Sequence, residues 1–421
     1  MDKHQRRRWA WLCVALCLVA RPASAITLQV DYTYDTANFF GGGNPQGATA
    51  GTQAKASLEA AASYFSSILI DSFSAIQTPA PYPSSAFGSN GLVTWSWQER
   101  FQHPSDSNPN EVIVTDPTVN SNKYIVYAGA AGLTGSTAGV GGPGGFAWSS
   151  DVSGTNSFTL ADIDQINLTT TSFENAVETR GQTNGFSRWG GAITFDTSAR
   201  TWHYDHTTSP VGGETDFYSV AIHELGHSLG FGESSSGSSA WGALVSGASF
   251  TGVNAKALNG GNNVPLSADL AHWAAGKQSV VYGSATVQEA SMDPDLLDGT
   301  RKHFTALDAA ALKDIGWEVT TPPGVPGDYN NNGKVDAADY VLWRNGGPLA
   351  NEVATLGAVN AADYTAWRAR FGNTSGSGSG AVVLGGAVPE PTYTAMILLG
   401  GVLLGATHRL RMSSHAPALT P

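Results

Sequence analysis

One short stretch, residues 217–232, constrains the fold of this chain more than any other. It contains the sequence HELGH at positions 223–227. A helix repeats every 3.6 residues, so His223 and His227 would lie one turn apart on the same face. Two imidazoles placed in this way can supply two corners of a tetrahedral zinc site, and the carboxylate of Glu224 can reach a water that the metal activates. The stretch therefore predicts a metal-binding helix with Glu224 as general base.

The alternative is that the pattern arose by chance in an amphipathic core helix. Three features favour the metal site: Gly230 can end the helix, the small residue Gly226 lies between the two histidines, and a Met-Asp-Pro sequence follows at 292–294. The chemistry indicated is hydrolysis of a polarised carbonyl group, most simply a peptide bond.

The composition indicates an exported protein that does not bind nucleic acid. Only 13% of the 421 residues are charged, and 50 are glycine. Residues 1–25 hold five Lys/Arg and one Asp, so their removal leaves 17 basic and 33 acidic side chains, a net charge of −16. Such a charge disfavours nucleic-acid binding and suits calcium binding.

Residues 1–25 have the pattern of a signal peptide. A basic region at 3–8 precedes an apolar run at 9–20, and Ala23-Ser24-Ala25 forms a small-residue cleavage site. An uncleaved anchor helix is the alternative, although the apolar run is short for one. Both cysteines, Cys13 and Cys17, lie inside this segment. We therefore expect a protein without disulfides in the cell envelope, at the cell surface or outside the cell.

Periodicity predicts the elements that surround the metal-binding helix. A strand begins at Ile26, and apolar residues at helical spacing predict a helix over 51–76 that packs behind a sheet. Three short runs, 92–97, 111–114 and 124–127, are predicted to be strands of one sheet. The glycine-rich segment 129–145 is expected to be a surface loop. Residues 190–196 are predicted to be the last strand before the helix, with an edge that binds an extended peptide by strand addition.

A second group of possible ligands comes just before the helix. His203, Asp205 and His206 lie close together in the sequence and could hold a structural metal. The alternative is a solvated turn, because spacing alone is a weak signal for such a site.

Residues 190–196 and 216–230 together resemble the metzincin clan of zinc endopeptidases. The resemblance implies an α+β domain over residues 26–320, with a twisted, mostly parallel sheet, a backing helix and an active-site helix. It also implies that the strand before the active-site helix binds a polypeptide substrate.

The sequence offers more than one candidate for the third zinc ligand. The usual clan pattern places it three residues after the glycine, at Glu233 in this chain. However, Ala271-His272-Trp273, Met292 and the run 305–317 resemble the leishmanolysin branch of the clan, in which an insertion precedes the third histidine. That resemblance implies that His272 is the ligand and that Met292 forms a hydrophobic floor under the metal. Glu233 and other histidines such as His303 remain open alternatives.

Residues 328–372, which follow a Pro-rich linker at 321–327, predict a small helical calcium-binding module. The loop 328–339 has a glycine at its sixth position and spaces its oxygen ligands as a calcium loop does. The predicted calcium ligands are Asp328, Asn330, Asn332, Lys334 through its backbone carbonyl, Asp336 and Asp339.

This loop and the helix after it resemble a type I dockerin repeat, which implies a cohesin-like protein partner. A solvated turn is the alternative. A second copy around 359–368 lacks two oxygen ligands, so we expect it to bind calcium poorly or not at all.

The C-terminal end resembles a PEP-CTERM sorting signal. A Gly/Ser-rich linker at 373–387 is followed by Val-Pro-Glu-Pro, a short apolar stretch and a basic cluster over 388–411, and then by a tail at 412–421. The resemblance implies processing by an exosortase-type enzyme and membrane contact through this segment.

The sequence as a whole predicts a secreted or cell-surface zinc metalloendopeptidase with Zn²⁺ and Ca²⁺ as cofactors. A catalytically silent scaffold or adhesion protein with a partner-binding module is the alternative. A zinc hydrolase that acts on a glycan or an ester is a third possibility.

Overall fold

A computed structural model describes residues 26–372 of the chain, with short interruptions. The interruptions are 108–109, 155–156, 184–185, 199, 234–238, 285, 321–326, 331–333, 348 and 353–358. The predicted signal peptide, most of the first linker, the PEP-CTERM-like segment and the tail lie outside the described residues. Among the helices that the structure describes, none combines the length and the apolar character needed to cross a membrane.

Up to the helix that carries the HELGH sequence, the described chain consists mainly of strands with two helices among them, and it becomes more irregular after that helix. The helices are α1 (Ala48–Ile68), α2 (Leu160–Thr179), α3 (Phe217–Ser228), α4 (Val253–Leu258), α5 (Ala306–Asp314), α6 (Ala337–Arg344) and α7 (Ala361–Arg370). The strands are β1 (Thr27–Asp31), β2 (Tyr82–Pro83), β3 (Leu92–Gln102), β4 (Glu111–Thr115), β5 (Lys123–Ala131), β6 (Gly139–Pro143), β7 (Gly145–Ser153), β8 (Gly190–Asp196), β9 (Trp202–His203), β10 (Thr215–Asp216), β11 (Val245–Ser246), β12 (Ser249–Phe250), β13 (Val264–Pro265), β14 (Gln278–Val280) and β15 (Val287–Glu289).

The sheet that supports the metal-binding helix has the order β1-β5-β8-β6. Strands β1, β5 and β8 run parallel, whereas β6 runs antiparallel to β8. Helices α1 and α3 contact each other; α1 also contacts β1, and α3 contacts β6 and β8. The main hydrophobic core lies between these helices and the sheet. A mixed α/β fold with a mostly parallel sheet is therefore confirmed.

A second, antiparallel sheet consists of β2, β3, β4 and β7, with β3 at its centre. Burial alternates strictly along β3, as expected for a strand with one buried face. The prediction that 92–97, 111–114 and 124–127 share one sheet is wrong, because the last of these runs is β5 of the first sheet. Strand propensity is a local property, and it does not tell which strands pair.

The glycine-rich stretch predicted to be a loop contains the edge strand of the first sheet. Strand β6 covers one side of β8, and β5 covers the other. The prediction that residues 190–196 form the free edge is therefore wrong, and β6 takes that place. Glycines carry no strand signal in sequence, yet this strand needs them because α3 packs directly on it.

Two helices differ from the sequence prediction. Helix α1 ends at Ile68, because Leu69 adopts extended backbone and forms a bridge with Val319. Helix α2 was not predicted, since only Asp162, Phe173 and Val177 are buried along its 20 residues. A helix that buries so little shows almost no apolar periodicity.

Candidate metal centre

Local signals in the sequence set both ends of α3. Asp216 caps the first turn, where its carboxylate accepts a hydrogen bond from the Ser219 amide at 3.0 Å. Arg301 holds the same carboxylate with two hydrogen bonds, of 3.0 Å from Nε and 2.7 Å from Nη2. At the other end, Gly230 has a φ of 96°, which lets the chain turn away as the sequence predicts.

The structure brings His272 to the two histidines of α3. The Nε2 atom of His227 lies 3.0 Å from that of His223 and 3.0 Å from that of His272, and the remaining pair is 3.2 Å apart. All three side chains are buried. Among the residues that the structure describes, this is the only group of at least three His, Cys, Asp or Glu residues close enough to hold a metal ion.

The outer nitrogens of the three imidazoles all face hydrogen-bond acceptors. His223 Nδ1 lies 2.8 Å from the Ser291 carbonyl oxygen, and His227 Nδ1 lies 2.9 Å from the Phe231 carbonyl oxygen. His272 Nδ1 lies 2.8 Å from Asp269 Oδ2. Carbonyl and carboxylate oxygens only accept hydrogen bonds, so each Nδ1 carries a proton, and the Nε2 lone pair of a ring in this tautomer points inward.

This arrangement fits a zinc ion. Three lone pairs that converge at such short range repel one another unless a cation lies between them. Two nitrogens bound tetrahedrally at about 2.0–2.1 Å from one zinc ion lie roughly 3.4 Å apart, close to the separations found here. Three histidines leave a fourth position open, which is the pattern of catalytic rather than structural zinc sites.

The surroundings keep the α3 histidines neutral. Burial, and then the neighbouring imidazoles, lower the pKa of His223 well below its ordinary value. Burial, followed by the effect of His272, lowers the pKa of His227 to about 3. A metal ion competes only with protons for these nitrogens, so low pKa values leave the site ready for a metal at neutral pH.

Glu224 is fully buried beside the cluster, on the same helix. The edge strand β6 lies directly against it. A Cβ atom on Gly139 would come within 2.7 Å of Glu224 Oε1, and one on Gly141 within 2.4 Å of the Glu224 carbonyl oxygen. The glycines of β6 therefore make room for the carboxylate and its helix.

The Met292 side chain packs against α3 at Gly226. A Cβ atom on Gly226 would come within 2.5 Å of the Met292 sulfur. The backbone of this turn is held by Asp308, a fully buried residue that also forms the capping box of α5 with Thr305. The Asp308 carboxylate accepts hydrogen bonds from the Ser291 amide at 2.9 Å, the Met292 amide at 3.3 Å and the Trp273 indole at 2.8 Å.

The other candidate ligands lie elsewhere. Glu233 forms a 2.7 Å ion pair with Arg188. His303 is not a member of the three-histidine group. His203 is held by Glu214 at 3.1 Å, whereas the ring of His206 stacks on Tyr218, so the predicted second metal cluster does not form.

The structure describes the predicted calcium loop in part, and Asn332 lies outside the described residues. Asp328 and Asp339 are fully buried, and Lys334 is exposed. The Asp339 carboxylate accepts hydrogen bonds from the amides of Asn330 at 2.9 Å and Asp336 at 2.8 Å. Calcium binding by this loop remains a prediction.

Sequence reasoning missed the acceptors that orient the three imidazoles. Two of them, Ser291 and Phe231, act through backbone carbonyls, which no residue type reveals. Asp269 could have been found, because it comes three residues before His272 and has the chemistry of a partner for a ligating histidine.

A small cleft opens beside His223 and Glu224. Its walls come from α3, from the turn that follows Met292 and from Lys302. The other lining residues include Ser219, Val220, Ser291, Pro294 and Leu296. Lys302 is already paired with Glu289 at 3.0 Å and Asp293 at 3.3 Å.

Three convergent histidines, two of them on the helix that also carries the buried Glu224, are consistent with a zinc site. In agreement, residues 165–249 match the family model named Matrixin, which belongs to the metzincin clan and indicates a zinc metallopeptidase domain. The match covers most of α2, β8 and α3, including His223, Glu224 and His227, and it ends before His272. No curated protein and no solved structure matches the chain.

Proposed function

We propose that this chain is an exported zinc endopeptidase that cleaves extended polypeptides. The observation that carries the proposal is the convergence of three Nε2 atoms whose rings are each oriented by an acceptor on Nδ1. The leishmanolysin-like order, with His272 45 residues after His227 and followed by Met292, supports His272 as the third ligand. Glu233, paired with Arg188, is the weaker candidate.

The histidines and Glu224 would have different roles in the reaction. A zinc ion held by the three histidines would supply a Lewis acid that polarises the scissile carbonyl and acidifies water. The Glu224 carboxylate would accept a proton from the attacking water and deliver it to the leaving nitrogen. Burial of Glu224 keeps bulk water from competing for that proton.

The edge of the first sheet supports an extended peptide as substrate. The Ala138 carbonyl accepts a hydrogen bond from the Asp196 amide, and the Gly144 amide donates one to the Gly190 carbonyl. The backbone N–H and C=O groups of the even-numbered residues in this segment therefore point toward β8. The backbone groups of Gly139 and Gly141 therefore point away from β8, beside Glu224. A substrate strand could pair with these groups beside His223 and Glu224.

Metal removal and cleavage of an unfolded polypeptide test this function together. The purified chain should contain one zinc per molecule and should cleave unfolded casein. Chelation should abolish cleavage, and added zinc should restore it. Stoichiometric zinc without cleavage would favour the silent scaffold, and cleavage only of ester or glycan substrates would favour the third possibility. A chain without stoichiometric zinc would refute the proposal.

We extend the proposal to the C-terminal module, which would bind calcium and a cohesin-like partner. Helices α6 and α7 are tied reciprocally: the Trp343 indole donates to the Asn360 carbonyl at 2.7 Å, and the Trp367 indole donates to the Asp336 carbonyl at 2.8 Å. This pairing supports a two-repeat module. Calcium titration of the zinc-loaded chain should give one site, and Asp328→Ala should remove it. Calcium uptake that survives this substitution would refute the assignment.

The location of the protein is likewise proposed from the sequence. A cleaved signal peptide at 1–25 and a PEP-CTERM-like segment at 388–411 would take the chain to the cell envelope, where an exosortase-type enzyme would process it. Mass spectrometry of the protein recovered from an envelope fraction should give an N-terminus at Ile26. Recovery of the intact chain from the cytosol would contradict export.

A further inference from the structure

The three histidines of the metal centre are not supported alike. His223 and His227 are both carried by α3, and each donates to a backbone carbonyl. His272 lies on irregular chain and donates instead to a carboxylate, that of Asp269. A helix fixes the direction of its side chains, but irregular chain needs other contacts to do so.

The turn that carries His272 is closed by a set of short-range hydrogen bonds. The Ser267 amide donates to the His272 carbonyl at 3.0 Å, and the Leu270 amide donates to the Ser267 carbonyl at 3.0 Å. Asp269 Oδ1 accepts from the Ala271 amide at 2.9 Å and from the Ser267 hydroxyl. One carboxylate therefore uses Oδ1 to close the turn and Oδ2 to hold the imidazole.

The backbone of the turn is strained at one of the two residues between Asp269 and the ligand. Leu270 has a φ of 61°, in the left-handed region that leucine rarely adopts. Its carbonyl accepts a hydrogen bond from the Trp241 indole at 3.0 Å. Strained backbone persists only where its surroundings over-determine it, and such places cluster at functional sites. Here the left-handed residue lies in the turn that brings Asp269 and His272 into contact.

The chemistry of the contact points to the metal. A carboxylate on Nδ1 makes the imidazole a stronger donor through Nε2 and adds negative charge near a dication. Asp269 Oδ2 contacts Nδ1, the outward nitrogen of the ring, so Asp269 supports the ligand and does not itself join the cluster.

We propose that Asp269 is the positioning residue of the third metal ligand, and that its carboxylate sets the affinity of the site for zinc. The inference rests on the proposed zinc function and adds to it the reason why a ligand on irregular chain can complete the site. Loss of such a partner lowers metal affinity by roughly 10–100-fold in zinc enzymes.

Competition with a chromophoric zinc chelator tests the proposal on the full chain. Asp269→Asn, which keeps the size of the side chain, should weaken zinc binding about 10-fold, and Asp269→Ala should weaken it more, up to about 100-fold. The cobalt-substituted variants should also show a changed visible spectrum, because His272 would be differently oriented.

Two further variants separate the carboxylate from general damage. Asp162→Asn removes another buried carboxylate, in the capping box of α2, and should leave zinc affinity unchanged. Ser267→Ala removes a hydroxyl from Asp269 Oδ1 but leaves the contact with His272, so it should weaken zinc binding less than Asp269→Asn.

The outcomes distinguish this inference from the proposed function. If the wild-type chain binds no stoichiometric zinc, the proposed function itself is refuted. If the wild type binds zinc and Asp269→Asn and Asp269→Ala bind it equally well, only the role of Asp269 is wrong. Equal losses in Ser267→Ala and Asp269→Asn would also overturn it, because the shape of the turn and not the carboxylate would then set the affinity.

Discussion

The metal centre has two halves that the chain builds in different ways. The first half is α3 with the turn at Gly230, which together supply two histidines, Glu224 and the Phe231 carbonyl that orients His227. The second half runs from Ser267 to Asp308 and supplies His272, Met292 and the Ser291 carbonyl that orients His223. The first half follows from helix periodicity, and the second depends on contacts between residues far apart in the sequence.

This difference teaches where the site is vulnerable. A helix that is capped by Asp216 and ended by a glycine can form with little help, so its two ligands are aligned by local structure. The second half has no long helix that fixes the positions of its residues, and hydrogen bonds from a few buried side chains hold them instead. Substitution of Glu224 in the first half should therefore affect catalysis, whereas substitutions of the supporting residues in the second half should affect metal binding or folding.

The largest effect is expected from Glu224→Gln in the first half. The amide cannot accept the proton of the attacking water, so kcat for peptide cleavage should fall by about 10²–10⁴-fold. Zinc content should stay at the wild-type level, because the three histidines are untouched. Steady-state kinetics with a quenched fluorescent peptide and metal analysis of the same sample measure both. Unchanged cleavage by a zinc-loaded variant would contradict the role of Glu224.

In the second half, Asp308→Ala should cause the largest loss of stability. The change leaves the Ser291 amide, the Trp273 indole and the cap of α5 without their acceptor. Since a buried donor left without a partner costs about 1–3 kcal/mol, we expect the free energy of unfolding to fall by about 3–5 kcal/mol. Urea unfolding of the chelator-treated protein measures it. Asp308→Asn, which keeps an acceptor oxygen, serves as the matched control and should lose less.

Another buried carboxylate, which lies outside both halves, should lower the stability of the protein instead of raising it. Glu99 lies in the core of the antiparallel sheet and accepts one hydrogen bond, of 3.1 Å, from the Tyr127 hydroxyl. Burial raises the pKa of Glu99 to about 7, against the lowering effect of that hydrogen bond. The unfolded chain releases this proton near its ordinary pKa, so stability should decline as the pH rises from about 4.5 to about 7.

Glu99→Gln removes this penalty. At pH 8 the variant should be more stable than the wild type by on the order of 3 kcal/mol, and the difference should vanish below about pH 4. Thermal unfolding at both pH values measures it, with or without zinc, because Glu99 is not part of the metal centre. A variant that is less stable at pH 8 would show that Glu99 is better supported than its single hydrogen bond indicates.

The smallest effects are expected for two glycines, one in α3 and one in the strand β6 that packs on it. Gly141→Ala puts a Cβ atom 2.4 Å from a backbone oxygen of Glu224, which cannot move without shifting the helix. We expect a loss of about 1–3 kcal/mol, as for other overpacked cores. Gly226→Ala meets the Met292 sulfur instead, and this flexible side chain can turn aside. Urea unfolding should therefore rank Gly141→Ala as more damaging, and the reverse order would mean that Met292 is rigidly held.

Much of the first half of the site could be predicted from the sequence. The HELGH pattern and the turn at Gly230 act within a few residues, and the structure contains both of them. The second half could be predicted only in outline. A resemblance favoured His272 and Met292, with Glu233 as the alternative; the structure places His272 beside the two histidines of α3 and pairs Glu233 with Arg188.

The sequence by itself determined the metal-binding helix, because the period of a helix and the chemistry of its caps are local properties. It also determined the acidic character of the chain, which follows from counting. Only the tertiary structure decided that β6, a glycine-rich strand, forms the edge beside Glu224, that Glu233 pairs with Arg188, and that Asp269 holds His272. These features depend on burial and on contacts across long stretches of chain, which no local pattern contains.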